Sequence, residues 1–452
     1  MSQVRFHRSI VLVVVCGAGI FAGCTRECAR QYPRSRQETK RPSNVILITI
    51  SSLRADHASC LGYKRDTTPS FDGFARRNIL FKNAFATSGW MMPAHGSIFT
   101  SLYPSIHGAT HIAKSLTQEC YTLGEILSDN GYYCAGFCCN PRLGHENGFA
   151  QGFDLYDDYS VSVMLNSLAF GSESNIDINR TRTNDLINDA AIRWLQYNTH
   201  SPFFLFVHYY DNHWDYLPPP PYDKMYDPGY QGPVDGTKIA REPLFSNAPA
   251  PEDVEHMLAL YDGEVRQSDD DLNEILAFVR DNGLFANSIV IVMGDHGEQF
   301  YEHGHTSHQG LFEELIHIPL AISIPDEQAK AKTIDSLVSQ VDILPTILDY
   351  VQIPVPVRCQ GTSLRPLIED SVKSVRQFIF AEYTGGAVPD CYAVRSDRYK
   401  YYERANGAFA YDLGNDPGEQ HKLLPQAFGE QVETLKISLQ KLMADLGLEI
   451  TR

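Results

Sequence analysis

The stretch NVILITI, residues 44–50, constrains this chain more than any other. It is a continuous β-branched run, and neither face of such a strand can be given to water. That suits a central strand buried on both sides, as in a parallel sheet. Further strand candidates are residues 203–208 (FFLFVH), 288–293 (SIVIVM) and 319–324 (PLAISI). Helical patterns separate them, over residues 122–130, 184–198, 253–282 and 341–351. Strands alternating with helices predict an α/β fold with a doubly wound, mostly parallel sheet. Residues 217–251, rich in Pro, Gly and Asp, read as a long surface excursion. Beyond about residue 354 the pattern changes. Short strand candidates at 377–383, 392–395 and 399–403 precede a helix at 428–446. They predict a small C-terminal antiparallel α+β subdomain. Residues 44–452 therefore divide into an α/β domain over 44–353 and an appendage over 354–452.

Charge narrows the function. The formal net charge is −17, which disfavours nucleic acid as a partner. An acidic envelope also repels anions at long range, so any anion site must be made positive locally. The N-terminus reads as a targeting segment. Arg5, His7 and Arg8 precede an apolar run over residues 10–22, the length of a signal-peptide core and short for a bilayer span. It ends in Phe21-Ala22-Gly23-Cys24. Small residues before a Cys resemble a bacterial lipobox, although Phe21 departs from the usual Leu. The expectation is export over residues 1–24, lipidation at Cys24, a polar, basic tether over 25–43, and a place in the bacterial cell envelope. An ordinary signal peptide or an uncleaved anchor is the alternative.

The ten cysteines, less Cys16 in the signal and Cys24, leave eight. An even count in an exported chain permits disulfides without fixing their pairing. Cys134, Cys138 and Cys139 lack a second Cys/His pair at zinc spacing. They are read as buried or disulfide-bonded residues near a strand end.

Ligands of open α/β sheets bind beyond the carboxyl ends of the strands. After the first strand come Ser51-Ser52-Leu53-Arg54-Ala55-Asp56-His57. After residues 288–293 come Gly294-Asp295-His296-Gly297-Glu298, then a loop carrying His303, His305 and His308. After residues 203–208 come Tyr209-Tyr210-Asp211-Asn212-His213. Asp295 and His296, adjacent at a strand end, read as a pair of metal ligands. A hydrogen-bonded turn is the simpler reading of the same pair. Asp56-His57 is read as structural, and Trp90, Met91 and Met92 as packing.

In order and spacing, these pieces resemble the sulfatase family of the alkaline phosphatase superfamily. The resemblance runs from about Asn44 to Lys422. It rests on NVILITISSLRADHASCLGYKRDTTPSFDGFA, SGWMMPAHGSIFTSLYPSIHG, TLGEILSDNGY, HYYDNHWDYLPP, VIVMGDHGEQFYEHGHTSHQGLFEELIHIPL and AVRSDRYKYY with YDLGNDPGEQHKL. It implies an alkaline phosphatase-like parallel sheet, a small C-terminal sheet and ancestral hydrolysis of sulfate or phosphate esters. Fold alone does not carry the reaction over.

Two positions depart from the family pattern. Relatives place a metal-binding Asp directly after the first strand, where this chain has Ser51. They place the nucleophile two residues before a Pro, where this chain has Met91 in Met91-Met92-Pro93-Ala94-His95. A thioether has no proton to lose, forms no ester intermediate and is a soft ligand for Ca²⁺, Mg²⁺ or Mn²⁺. Loss of a nucleophile costs on the order of 10⁶ in turnover where residues act as a unit. His95 replaces the sulfatase Arg, as in the branch with Thr at the nucleophile position. The resemblance carries metal binding to Asp295 and His296 and ester contacts to His213 and His308. More loosely, it carries substrate contacts to Asn140 and Arg142. Ser51, Ser52, Thr87 and Ser88 are weak candidates for a relocated nucleophile.

The expectation is a catalytically degenerate sulfatase-family protein that binds an anionic ester or a sulfated or phosphorylated glycan. The alternative is an active hydrolase using water activated by a divalent metal at Asp295 and His296. That metal would be Ca, Mg, Mn or Zn; no metal at all is compatible with degeneracy.

Overall fold

The computed structural model describes residues 44–448, apart from 111–114, 159–182, 214, 238–248, 305, 309, 326–330 and 386–389. The targeting segment, Cys24 and the tether lie outside the described residues, as does His305. No helix among the described residues is long and apolar enough to cross a membrane.

The strands are β1 (Asn44–Ile50), β2 (Ile79–Phe85), β3 (Tyr133–Cys138), β4 (Leu155–Asp157), β5 (Phe203–Tyr209), β6 (Ser288–Gly294), β7 (Gln299–Phe300), β8 (Thr306–Ser307), β9 (His317–Ser323) and β10 (Lys332–Ser339). Eight form one sheet in the order β10-β2-β9-β6-β1-β5-β3-β4, while β7 and β8 make a separate hairpin. Every residue of β1 is buried. Val45 and Leu47 enter one core and Ile46, Ile48 and Ile50 the other, as period-2 alternation requires of a strand covered on both faces.

Helices α1 (Pro69–Arg77), α2 (Met91–Thr100), α3 (Leu123–Asp129), α4 (Thr183–Asn198), α5 (Pro251–Asp281) and α6 (Ile343–Val351) supply those covers. Side chains of α1, α4 and α5 join the core of Ile46 and Ile48, and those of α2, α3 and α6 the core of Val45 and Leu47. Thr122 starts α3 with a capping box, its side chain accepting from Glu125 N while the Glu125 carboxylate accepts from Thr122 N. The sheet is doubly wound, as expected. A second antiparallel sheet, β11 (Ile379–Tyr383), β12 (Cys391–Arg395), β13 (Tyr399–Arg404) and β14 (Gly407–Asp412), packs against α7 (Glu430–Asp445).

One strand runs against the rest. β9 pairs antiparallel with both β2 and β6, while the other neighbours in the large sheet are parallel. The chain between β6 and β9 forms the β7–β8 hairpin at the rim and makes no crossover, so it re-enters the sheet reversed. Strands β2, β4, β7, β8, β10 and β14 were not read from sequence, and β3 only as a strand end near Cys134, Cys138 and Cys139. In β2 the cause is a bulge: the register with β9 shifts between Phe81 and Ala84, and Lys82 is exposed there. Cys134, Cys138 and Cys139 are buried at β3, and every described cysteine is a free thiol.

Candidate active site

Sheet order assembles the site. β6, β1 and β5 are neighbours, and Ile50 is level with Gly294 on one side and Tyr209 on the other. Ser51, Asp295 and Tyr210 therefore leave the sheet together at one edge. One step back, Thr49 is the cross-strand neighbour of His208. From the face above, α2 contributes Met91 and His95, both buried.

Ser52 takes a left-handed conformation, φ +53, strained for a residue with a side chain. The turn aims its backbone N–H at Asp295. Asp295 Oδ1 accepts from Ser52 N at 2.9 Å and from His296 N at 2.7 Å. Its other oxygen, Oδ2, has no hydrogen-bond partner among the described residues. Oδ2 lies 3.6 Å from His296 Nε2 and 3.9 Å from His95 Nδ1, beyond hydrogen-bond range. Gly297 is required here. A Cβ on it would stand 1.8 Å from Glu314 O, because Gly297 N donates to Leu315 O at 2.8 Å.

Two hydrogen-bond chains fix the histidine tautomers. His296 Nδ1 lies 2.8 Å from Gly297 O, and a carbonyl only accepts, so the proton sits on Nδ1 and Nε2 is a bare lone pair. His95 Nδ1 likewise donates to Met91 O at 3.0 Å, leaving its Nε2 to accept from Thr49 Oγ1 at 3.0 Å. Thr49 Oγ1 in turn accepts from His208 Nδ1 at 2.8 Å. His208 Nε2 is then bare as well. It, His296 Nε2 and the hydroxyls of Ser51 and Ser52 are buried without partners among the described residues.

Burial depresses the basicity of these rings. His296 and His308 are pushed down to about 3, and His95 and His208 are also lowered, all chiefly by burial. Burial also raises Asp295 to about 6 and Glu298 to about 7. The rim is closed by the β7–β8 hairpin. His308 Nδ1 lies 3.2 Å from Glu298 Oε1, and His308 Nε2 lies 3.4 Å from His213 Nε2. Trp90 meets His308 edge-on, with centroids 5.3 Å apart.

The structure thus gathers Ser51, Met91, His95, His213, Asp295, His296 and His308 around one edge. Asn140 is placed differently: its Oδ1 caps the turn Pro141–Leu143, accepting from Arg142 N at 2.8 Å. Arg142 is exposed, and its charge and that of Glu298 both act on Tyr210, which puts Arg142 near the rim. Thr87 donates to Ser97 Oγ at 2.8 Å. Asp56 pairs with Arg54, and His57 Nδ1 lies 2.6 Å from Asp262, so both contacts tie down the strand-end loop. Sequence reasoning missed Thr49, His208 and Glu298. The signal for His208 was a histidine inside the apolar run FFLFVH, where a buried strand tolerates a polar side chain only with a partner.

The buried lone pairs of Asp295 and His296, 3.6 Å apart and unpartnered among the described residues, fit a divalent cation. Asp295, His95 and His208 also form a cluster with ligand-type atoms within 4.8 Å of one another.

A mixed, mostly parallel sheet with its site beyond β6, β1 and β5, and a small antiparallel sheet after it, defines the alkaline phosphatase-like fold. The phosphonate monoester hydrolase of Agrobacterium radiobacter shares it, with a TM-score of 0.74 at 21% identity over 89% of this chain and 95% of that one. So does a protein solved with its substrate D-glucosamine-2-N,6-O-disulfate, with a TM-score of 0.72 at 21% identity over 90% of this chain and 98% of that one. The sulfatase profile matches residues 43–353, and that of the N-sulphoglucosamine sulphohydrolase C-terminal region matches 301–446. The chain belongs to the sulfatase family. Arylsulfatase K of Gallus gallus is 24% identical over 91% of this chain and 84% of its own length. The Δ4,5-hexuronate-2-O-sulfatase of Bacteroides thetaiotaomicron is 22% identical over 86% and 85%.

Proposed function

We propose that this protein has lost covalent ester hydrolysis and holds an anionic ligand, a sulfated or phosphorylated glycan or ester, in its histidine-lined pocket. The observation that carries the reading is Met91, buried at the first turn of α2 with its carbonyl engaged by His95. A thioether there neither attacks sulfur nor phosphorus nor becomes a formylglycine. Ser51 removes the carboxylate charge from the adjacent metal position. The names of relatives that act on sulfated sugars support the ligand class.

Pocket charge adds a condition. Arg142 stands exposed near its rim, but Asp295 and Glu298 are buried at its floor, so an anion that passes the rim alone meets carboxylates. A divalent ion held by Asp295 and His296 supplies the missing positive charge. His213 and His308 then face the ligand, and Trp90 stands edge-on to the ring of His308. Binding of sulfated mono- and oligosaccharides, measured by calorimetry, is therefore expected only when divalent metal is present, with no turnover. Binding that survives chelation, or no binding with metal supplied, refutes this reading.

The bare Asp295 and His296 atoms favour a second reading, hydrolysis without a covalent nucleophile. Aryl sulfate, phosphate monoester and phosphonate ester turnover with Ca²⁺, Mg²⁺, Mn²⁺ or Zn²⁺, abolished in Asp295→Ala, would establish it and displace the first. We also propose that the protein is exported and held at the cell envelope by lipid on Cys24, from the charge, apolar run and small residues that precede it.

A further inference from the structure

We propose that this protein carries a second binding site, for an uncharged sugar unit, in the crease between the edge of the large sheet and the small C-terminal sheet. This site stands or falls separately from the histidine-lined pocket.

β10 ends the large sheet, three strand spacings and so roughly 14 Å from β6. Between β10, the segment 373–378, the turn joining β12 to β13 and the start of α7 lies a cavity of about 610 Å³. That is within the size range of small-molecule sites. Two polar atoms of its lining residues, Ser336 Oγ and Arg376 Nε, are buried without a partner among the described residues. Arg376 is held by its other end: Nη2 pairs with the buried carboxylate of Asp342. Its spare N–H is therefore in position before any ligand arrives. A buried donor without an acceptor is costly, so both groups call for an oxygen from outside the chain.

Charge decides the class of ligand. The lining carries Lys373, Arg376 and Arg398 together with Asp335 and Asp397. Asp342 balances Arg376, Asp412 holds Arg398 at 2.9 Å, and Lys82 holds Asp335 at 3.2 Å. These lining groups and their ion-pair partners therefore balance, and the cavity offers an ion of either sign no net field. The chain's net charge of −17 also repels anions at long range. An uncharged ligand rich in hydroxyls suits such a wall. Each hydroxyl both donates and accepts, matching the donors of Ser336 and Arg376 and the acceptor carboxylates of Asp335 and Asp397. A sugar ring also has an apolar C–H face, and the half-buried rings of Phe378 and Tyr399 in the lining offer it a surface. Arg398 lies over the Tyr399 ring, with Cζ 5.1 Å from its centroid, and is braced there as a further donor. A polysaccharide held here is kept at the protein surface whether or not the histidine-lined pocket acts on it.

The test is saturation-transfer NMR on the full chain with chitobiose, cellobiose, lactose and maltose. At least one is expected to bind, with saturation strongest on the C–H protons of one sugar face. Gln431→Trp, which fills the cavity from an exposed position on α7, is expected to weaken that binding at least about tenfold, and so is Tyr399→Ala. Inorganic sulfate is expected not to compete. If Tyr399→Ala does not fold, Gln431→Trp decides alone. No saturation of any of the four sugars leaves the cavity to water and overturns the proposal. Binding unchanged in a folded variant, or displaced by sulfate, overturns it too. Sugars that bind here while the histidine-lined pocket takes no sulfated ligand sink the functional reading above and leave this one.

Discussion

Lys400 is completely buried on β13, and its replacement by Met tests how the small sheet is fastened to the rim of the site. Its Nζ lies 2.9 Å from Glu313 Oε1 and 3.3 Å from Glu419 Oε1. Glu313 follows the loop that carries His308, so this network ties β13 to that loop. At an effective dielectric constant of about 20, each contact is worth roughly 5 kcal/mol before desolvation. Burying the ammonium takes several kcal/mol back. The two carboxylates differ in what remains after Lys400→Met. Glu313 keeps Arg395 at 3.3 Å. Glu419 keeps Tyr402 Oη at 2.8 Å and Glu313 N at 2.6 Å but loses its cation. A stranded buried charge of this kind costs about 3–5 kcal/mol, and Glu419 carries most of it. Burial already pushes Glu419 up to about 7, with Glu313 adding to the rise. Losing Lys400 raises it further, so the variant's Glu419 folds protonated, and the cost grows as pH rises above about 4.5, larger at pH 8 than at pH 5.5. Urea unfolding, followed by fluorescence and circular dichroism together, measures the loss. Lys400→Met/Glu419→Gln is expected to recover at least half of it. A loss below about 1 kcal/mol at pH 8, or a double variant weaker than the single, refutes the reasoning.

Glu382 gives a second pH test. It is buried, accepts from Ser105 N and Oγ, and is raised by burial to about 7. A carboxyl raised on folding binds its proton more tightly in the native state, so stability falls as pH rises from about 4.5 to 7. Glu382→Gln is expected to flatten that decline by up to about 3 kcal/mol in unfolding experiments. Ser51→Asp with Met91→Thr is expected to give metal-dependent hydrolysis of aryl sulfate or phosphate monoester where the wild type gives none; silence from a folded double variant means the pocket has drifted elsewhere. Gly297→Ala is expected to lose soluble protein or several kcal/mol of stability, since its Cβ would collide with Glu314 O; unfolding midpoints decide. Cys24→Ser is expected to abolish incorporation of labelled palmitate and partitioning into detergent, and labelling that persists places the lipid elsewhere.

Much of this protein follows from local sequence. NVILITI could only be a strand buried on both faces, and it is one. Regular spacing of apolar residues located α3, α4, α5 and α6 to within a few residues, because helix periodicity is a property of the segment itself. Asp295 and His296 were legible because a strand end followed by two ligand-type residues needs no partner to be noticed. Other features depend on neighbours far along the chain. β2 hides behind its bulge and the exposed Lys82, and β9 reads like any other strand, since direction is written in the connection and not in the residues. His208 looks like part of an apolar run until β5 pairs with β1 and brings Thr49 beside it, 159 residues away. Which nitrogen of His208 is bare follows from a chain of donors across α2, β1 and β5, and only the folded sheet brings those three together.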